Sequence, residues 1–411
     1  MKNNGTAVIL GVGMTKFGRH ENETVASLGA QAVDEATKDA GLERTDIQAV
    51  VFGNVTQGQL EGQYSIPGQV ALRQMGITGL PVVNVENACA TGATALQAAA
   101  NLVLSGQVDV ALALGVEKMN VPERSKVMGV FESGFDVARR TSVIEELEEL
   151  GQEKLVPNSR RSIFMDIYAA QAQAHMRMYG STKEQFAFVA AKNHQVATLN
   201  DRAFFREAMS LEDVMGAKLA VEPFTVPMCS PITDGAAAVV VCSPEYAKRK
   251  GHASRGISIL ASELTTGTQR SLTDLESHIS RIASNRAYEK AGVSPADVDV
   301  VEVHDATSFA EVYQSELLGF FDLGEGGPAA VRGETSLGGR VPINLSGGLV
   351  SKGHPIAATG LAQVWELVQQ LRGSAGQRQV DGATIALAEN GGGYMGGEDA
   401  VTAVTILGKG L

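Results

Sequence analysis

The feature that most restricts what this chain can become is that it repeats itself. Ala40-Gly41-Leu42, followed by Asp46-Ile47 and Val50-Val51, returns 251 residues later as Ala291-Gly292-Val293, Asp297-Val298 and Val300-Val301. Each copy follows an amphipathic helical stretch and runs into an apolar strand; the first strand ends at Gly53-Asn54, the second at His304-Asp305. Cys89-Ala90-Thr91-Gly92 returns 268 residues later as Ala357-Ala358-Thr359-Gly360, each ahead of an apolar helix and a buried strand (Val110–Gly115 and Thr384–Ala388). Asp234-Gly235-Ala236 with Val239–Val241 returns as Asp399-Ala400-Val401 with Val404–Ile406, now only 165 residues on. Three matches in one order, in one strand–helix context, indicate duplication rather than chance among Ala/Gly/Val-rich segments.

The shortened spacing places about a hundred extra residues in the first copy, as an α/β chain with a long insertion would have. The predicted division is 1–118 with 220–255 for the first half, 119–219 for the insertion and 256–411 for the second half. The insertion reads as helical, with helices over 167–179 and 183–198 and a solvated acidic run at Glu145–Glu149. Its composition also differs. Residues 119–206 hold 12 Lys/Arg and 11 Asp/Glu, whereas the whole chain is net −12. An acidic chain of pI about 5.2 argues against a nucleic-acid binder. No run approaches the ~18 apolar residues of a membrane span, and Met1–Gly11 does not read as a signal peptide. The three cysteines, Cys89, Cys229 and Cys242, have no CxxC spacing and suit a reducing, cytoplasmic setting.

Duplication brings equivalent loops together near the pseudo-symmetry axis, and ligands collect at strand ends in open α/β sheets. Cys89 follows a strand-to-turn segment and opens a helix. Helix N–H groups are expected to lower its thiol pKa and make it a nucleophile; the alternative is a small buried hydrophobe, the reading kept for Cys229 and Cys242. His354, between Gly353 and Pro355, is a candidate base in a stiffened loop. His304-Asp305 at a buried strand end is either a cap or a site. The remaining histidines read as surface or structural. Glu389-Asn390-Gly391-Gly392-Gly393-Tyr394-Met395-Gly396 formally contains GxGxxG, but the segment after it reads as a strand, whereas a dinucleotide loop opens a helix. These glycines instead suit backbone N–H groups facing a developing oxyanion.

Asn87-Ala88-Cys89-Ala90-Thr91-Gly92, Gly353-His354-Pro355-Ile356-Ala357-Ala358-Thr359-Gly360 and the terminal glycine loop together resemble the thiolase superfamily over essentially the whole chain. His304-Asp305-Ala306 with Glu311, and the opening Gly11–Gly18, resemble its sterol-carrier-protein-type and archaeal branch. The resemblance implies a five-layered αβαβα fold, with the insertion as a loop domain over an acyl-CoA site. It implies Cys89 as the acylated nucleophile, His354 as its base, and His304 with His354 as one oxyanion hole. A second hole would come from the amides of Cys89 and the Asn390, Gly391, Gly392, Gly393 loop.

The resemblance further implies coenzyme A as a substrate, no tightly bound cofactor and no metal. A homodimer or dimer of dimers is expected, and in part of this branch a small OB-fold, zinc-ribbon partner subunit. The substrates it allows run from acetoacetyl-CoA to aromatic ketoacyl-CoAs such as benzoylsuccinyl-CoA. One departure stands out. Ordinary thiolases carry a second cysteine in the glycine loop, and related ones carry it after the His-Asp pair; here Asn390 or a neighbour and Ala306 occupy those places. His304 or a water held by both histidines is left to protonate the enolate. Arg124, Lys126, Arg139, Arg140, Arg160 and Arg161 are candidates for meeting the CoA phosphates. A retro-aldol lyase and a non-catalytic acyl-CoA or lipid-binding protein are the competing functions.

Overall fold

The computed structural model describes residues 6–156 and 161–410. Its strands are β1 (Ala7–Met14), β2 (Ala49–Gly53), β3 (Val82–Val85), β4 (Val110–Glu117), β5 (Leu219–Val221), β6 (Phe224–Thr225), β7 (Gly235–Cys242), β8 (Ile257–Thr266), β9 (Val300–Glu302), β10 (Ile385–Gly392) and β11 (Val401–Lys409). Nine of them form one sheet in the order β3-β2-β4-β7-β1-β8-β11-β10-β9.

The duplication is visible in the pairing. β2 runs parallel to β4, which is antiparallel to β7, which is antiparallel to β1. In the same way β9 runs parallel to β10, which is antiparallel to β11, which is antiparallel to β8. The two halves join through a short antiparallel contact of Ala7–Ile9 with Ile257–Ile259. β4 and β7 are buried along their whole length, which their unbroken Ala/Val/Leu/Gly composition allows.

Two helices lie between the half-sheets, Thr91–Leu104 and Thr359–Arg372, sharing a single core with strand residues from both halves. Their first turns meet through equivalent glycines. A Cβ on Gly92 would fall 2.7 Å from the Ala357 carbonyl oxygen, and one on Gly360 2.6 Å from the Ala93 nitrogen. The outer layers are the Val25–Ala40 helix on the first half and the Ile279–Ala291 helix on the second. Each ends in a left-handed glycine, Gly41 (φ 66°) and Gly292 (φ 69°), so the repeated Ala-Gly of the sequence is a helix C-cap. Five layers, αβαβα, result.

Between β4 and β7 the chain folds into helices, among them Arg140–Gly151, Ile163–Tyr179 and Lys183–Ala197 of the expected insertion, followed by the β5–β6 hairpin. The helix expected from 167 starts four residues earlier, because Ser162 caps it. The acidic run is not simply a solvated face: Leu147 within it is fully buried, in a cluster with Val143, Ile167 and Tyr394. A second cluster packs Tyr168, Phe186 and Val189 against Phe309 and Tyr313, fixing the insertion to the second half. No helix among the described residues is long and apolar enough to cross a membrane.

Candidate active site

The loop after β3 holds Cys89 in a bent, locally bonded turn. Ala88 adopts a left-handed φ of 47°, a costly conformation for a residue with a side chain. The neighbouring side chains secure it. The Thr91 hydroxyl donates to the Ala88 carbonyl (2.7 Å) and accepts from the Asn87 N–H (2.8 Å), and Glu86 accepts from the Ala88 N–H (2.6 Å). Asn87 also donates to Thr94 (3.0 Å). The Asn-Ala-Cys-Ala-Thr motif is thus a self-bracing turn that sets the thiol at the mouth of the Thr91–Leu104 helix.

His354 Nε2 stands 3.4 Å from Cys89 Sγ. Its Nδ1 lies 2.6 Å from the Thr359 hydroxyl, which donates its hydrogen to the Pro355 carbonyl (3.0 Å). A hydroxyl has a single hydrogen to give, so Thr359 accepts from His354 Nδ1–H. That fixes the tautomer: Nε2 carries a lone pair toward the thiol. The His354 N–H donates to Thr233 (2.8 Å), which anchors the loop.

The His304 ring centroid is 5.1 Å from that of His354. Its N–H donates to Glu389 (3.0 Å), its Nδ1 lies 3.4 Å from the Tyr168 hydroxyl, and its buried Nε2 has no protein partner. The donor atoms of Cys89, His304 and His354 all lie within 4.8 Å of one another, close enough for one metal ion.

Burial pulls His304 down to about 4 and His354 well below the ordinary histidine range, the latter helped by His304 and Lys352. Both rings are neutral at pH 7. The expectation of a lowered cysteine pKa is corrected. Burial, then the charges of Asp399, Glu86 and Glu117, pushes the Cys89 thiol up to about 12. Desolvation and three carboxylates outweigh a helix that begins two residues later. The resting pair is therefore thiol and neutral imidazole, and proton transfer to His354 must accompany attack.

Asp305 is a brace. It accepts from the Leu349 N–H (2.6 Å) and from Asn193 (3.1 Å), tying the strand end to the loop that carries His354. Glu311 binds Lys192, Asn193 (2.9 Å) and Asn344 (3.0 Å). The expected glycine loop is largely strand: β10 continues through Gly392, pairing Asn390 with Ala403, Gly391 with Thr402 and Gly392 with Val401. Asn390 turns to the central helices, where its amide packs against Gly360, so it does not stand in for the missing cysteine. The Gly391 N–H bonds the Glu389 carboxylate. Gly392 and Gly393 do face the site, with Gly392 pressed against the Cys89 loop.

These groups line a cleft of about 1490 Å³ that opens to the surface under the insertion. Beside Cys89 its wall is apolar, formed by Met119, Val127, Met128, Phe131 and Ile232. Of the expected cations, Arg124 and Arg161 line it, with Arg161 bound to Asp166. Lys126, Arg139 and Arg140 pair with Glu123, Glu146 and Glu132 and do not line it, and Arg160 lies outside the described residues. Arg19 and Lys218 also line the cleft. Sequence reading missed them, along with Tyr168, Thr233, Cys229 and Asp399, because nothing local marks them.

Residues 7–245 match the thiolase N-terminal domain and residues 261–409 a thiolase C-terminal domain-like family. The chain belongs to the thiolase family. It is 37% identical to acetyl-CoA acetyltransferase of Methanothermobacter thermautotrophicus, over 96% of this chain and 97% of that one. It is 36% identical to human (Homo sapiens) sterol carrier protein 2, over 96% of this chain and 71% of the other. It is 34% identical to benzoylsuccinyl-CoA thiolase subunit BbsB of Thauera aromatica, over 93% of each. Among solved structures the Ltp2-ChsH2(DUF35) aldolase superposes with a TM-score of 0.79 over 98% of both chains at 24% identity, a likeness of fold. The thiolase branch expected from the His-Asp-Ala segment is thus the one these relatives occupy.

Proposed function

We propose that this thiolase family acyltransferase makes or breaks the C2–C3 bond of a 3-ketoacyl-CoA through an acyl group carried on Cys89. The observation that carries the reading is the thiol 3.4 Å from a histidine nitrogen whose tautomer is fixed to accept its proton. Sulfur attacks the keto carbon as His354 takes the proton. The developing alkoxide would be met by His304 Nε2–H, which is buried without a partner and so costs no reorganisation to engage. For the acyl-enzyme, the Cys89 and Gly393 amides are the proposed donors to the thioester oxygen.

The Met- and Phe-lined wall beside Cys89 supports a bulky apolar or aromatic acyl group over acetyl. Arg19, Arg124 and Lys218 at the cleft support a site for the CoA phosphates, with the insertion as its cover. A homodimer is supported by β3, an edge strand of the sheet with Val83 exposed. A small OB-fold, zinc-ribbon partner is supported by relatives named as a subunit and as a complex. A retro-aldol reaction has no use for the thiol–histidine pair.

Intact-protein mass spectrometry after brief incubation with a panel of acyl-CoAs and 3-ketoacyl-CoAs tests the reading. The wild type gains the mass of one acyl group and Cys89→Ala gains none. Bound CoA ester with no adduct on the wild type would rule the thiolase reaction out.

A further inference from the structure

Breaking the C2–C3 bond leaves an enolate that must take a proton, and His354 already holds the one from Cys89. His304 is a poor source. With its pKa near 4, the imidazolium is present at roughly one part in a thousand at pH 7. Cys229 lines the cleft, but its thiol is directed to the Thr225 carbonyl (3.7 Å) and burial pushes it up to about 12.

The geometry points to Asp399 as the second acid–base group: its carboxyl protonates C2 of the leaving CoA ester and, in the reverse direction, removes that proton. This rests on the proposed thiolase reaction. Asp399 lines the cleft with Cys89, His304, His354, Gly392 and Gly393. Its carboxyl lies over Gly391, where any Cβ would come within 2.5 Å of Oδ2, so the glycine makes its place. No hydrogen bond to its carboxyl is present among the described residues, in contrast to the bonded carboxylates of Glu117, Glu302 and Asp305. Its charge is the strongest electrostatic influence on Cys89, and it also acts on Tyr168 and Glu389. Burial, then Glu398, raises it to about 7, suited to giving and taking a proton at neutral pH.

A second observation supplies a proton route. Asp399 forms part of the wall between the cleft and a small cavity of about 20 Å³, together with Phe164, Tyr168 and Gly393. That cavity also meets His278, Gln314 and Tyr394, whose Nε2, Oε1 and hydroxyl have no hydrogen-bond partner among the described residues. It has the size for one water, and those orphan atoms are partners enough to hold one in a wall otherwise mostly apolar; such a water would join Asp399 to them.

The protons balance. In cleavage, Cys89 S–H gives its proton to His354, sulfur bonds to C3, the C2–C3 electrons pass to C2, and the Asp399 acid protonates C2. The incoming CoA thiol then gives its proton to the Asp399 carboxylate and attacks the acyl carbon. Cys89 sulfur leaves and recovers its proton from His354.

The test is exchange of C2 protons for deuterium in acetyl-CoA, propanoyl-CoA and succinyl-CoA, followed by NMR on the full chain with any partner retained. Acylation of Cys89 is measured alongside by mass. Asp399→Asn is expected to lower exchange at least 100-fold while Cys89 still acylates, and Asp399→Glu to recover part of it. A pH profile of the wild type needs no variant. The groups around Asp399 are Cys89, Tyr168, His278, Tyr313, Glu389, Tyr394 and Glu398. Exchange needs the carboxylate, so it rises as pH climbs through about 7; both site histidines are already in their base form there.

Asp399→Asn within threefold of wild type, a profile flat from pH 5 to 9, or loss of exchange on Cys229→Ala instead would each overturn the proposal. Absence of exchange with all three esters while Cys89 acylates would overturn it too, and leave the proposed function standing. Failure of Cys89 to acylate at all removes that function first.

Discussion

Thr359 does for His354 what no charged residue at this site does. By giving its own hydrogen to Pro355 it becomes a pure acceptor, so the imidazole presents a lone pair, and not an N–H, to Cys89. Thr359→Val keeps the volume and removes the acceptor, leaving a buried Nδ1–H unsatisfied at a cost of about 1–3 kcal/mol and freeing the ring to tautomerise. The expected outcome is a roughly 10–100-fold lower kcat with KM nearly unchanged, and recovery in Thr359→Ser; a KM effect alone, or no recovery by serine, would mean the threonine only packs. Cys89, His354 and His304 were legible in the sequence because each sits in a short motif with its own turn chemistry. Asp399 was not. Its match to Asp234 marked it as a repeat position, but the two aspartates diverge. Asp234 is a fully buried acceptor for Lys118 (3.0 Å) and the Met119 and Asn120 amides, while Asp399 has no hydrogen-bond partner among the described residues and lines the cleft that Cys89 lines. The neighbouring residues, Thr233 and Gly235 in one case and Glu398 and Ala400 in the other, do not say which aspartate finds partners. The lowered thiol pKa failed as an expectation for the same reason: the burial of the thiol and the charges of Asp399 and Glu117 come to Cys89 only through the folded chain.

At the scale of elements, β10 is where a pattern rule misled. Three successive glycines read as a loop, yet the ladder to β11 runs on through Gly391 and Gly392. Glycine is present because the strand is crowded on both faces, by Asp399 over Gly391 and by the Cys89 turn over Gly392. A Cβ on Gly392 would lie 2.5 Å from the Asn87 carbonyl oxygen, 2.6 Å from the Ala90 nitrogen and 2.9 Å from the Cys89 nitrogen. These are backbone atoms of an already strained turn and cannot swing aside. Gly392→Ala is expected to cost about 1–3 kcal/mol by overpacking. Because a displacement of about 1 Å at a reacting group costs on the order of 100-fold, acylation of Cys89 should fall by at least that much. Gly216→Ala is the control: nothing lies within 4 Å of its would-be Cβ, and its melting temperature and rate should match the wild type. Equal effects of the two substitutions would remove the close approach as the reason for glycine here.

For the whole molecule, duplication was the most legible property, since it is written in residue order and spacing, but its asymmetry was not. The outer edge of the second half is closed: the segment 342–344 flanks β9 as β3 flanks β2, with Val301 donating to Pro342 (3.0 Å) and accepting from Asn344 (2.9 Å), and Ile343 and Asn344 are fully buried. The equivalent edge of the first half is β3, whose outer side has no strand beside it among the described residues; Val83 is 43% exposed, and Tyr64 and Ile66, ahead of the helix that leads to β3, are exposed at 75% and 58%. An open apolar edge is a template for another strand, and proteins that keep one commonly cover it by assembly. A second copy would meet the same edge with the same edge, the self-complementary arrangement of the proposed two-fold dimer. The consequence reaches the site, because Glu86, Ala88 and Cys89 continue directly from Val85 with no intervening element. Val83→Glu places like charges opposite each other across such an interface. It should halve the mass measured by light scattering, and it should slow Cys89 acylation in proportion to the monomer fraction, since the strained Ala88 turn then hangs from an unsupported strand. A variant that stays dimeric would show that β3 is not the contact between copies, and a monomer that acylates at the wild-type rate would show that the Cys89 turn holds its shape by its own hydrogen bonds.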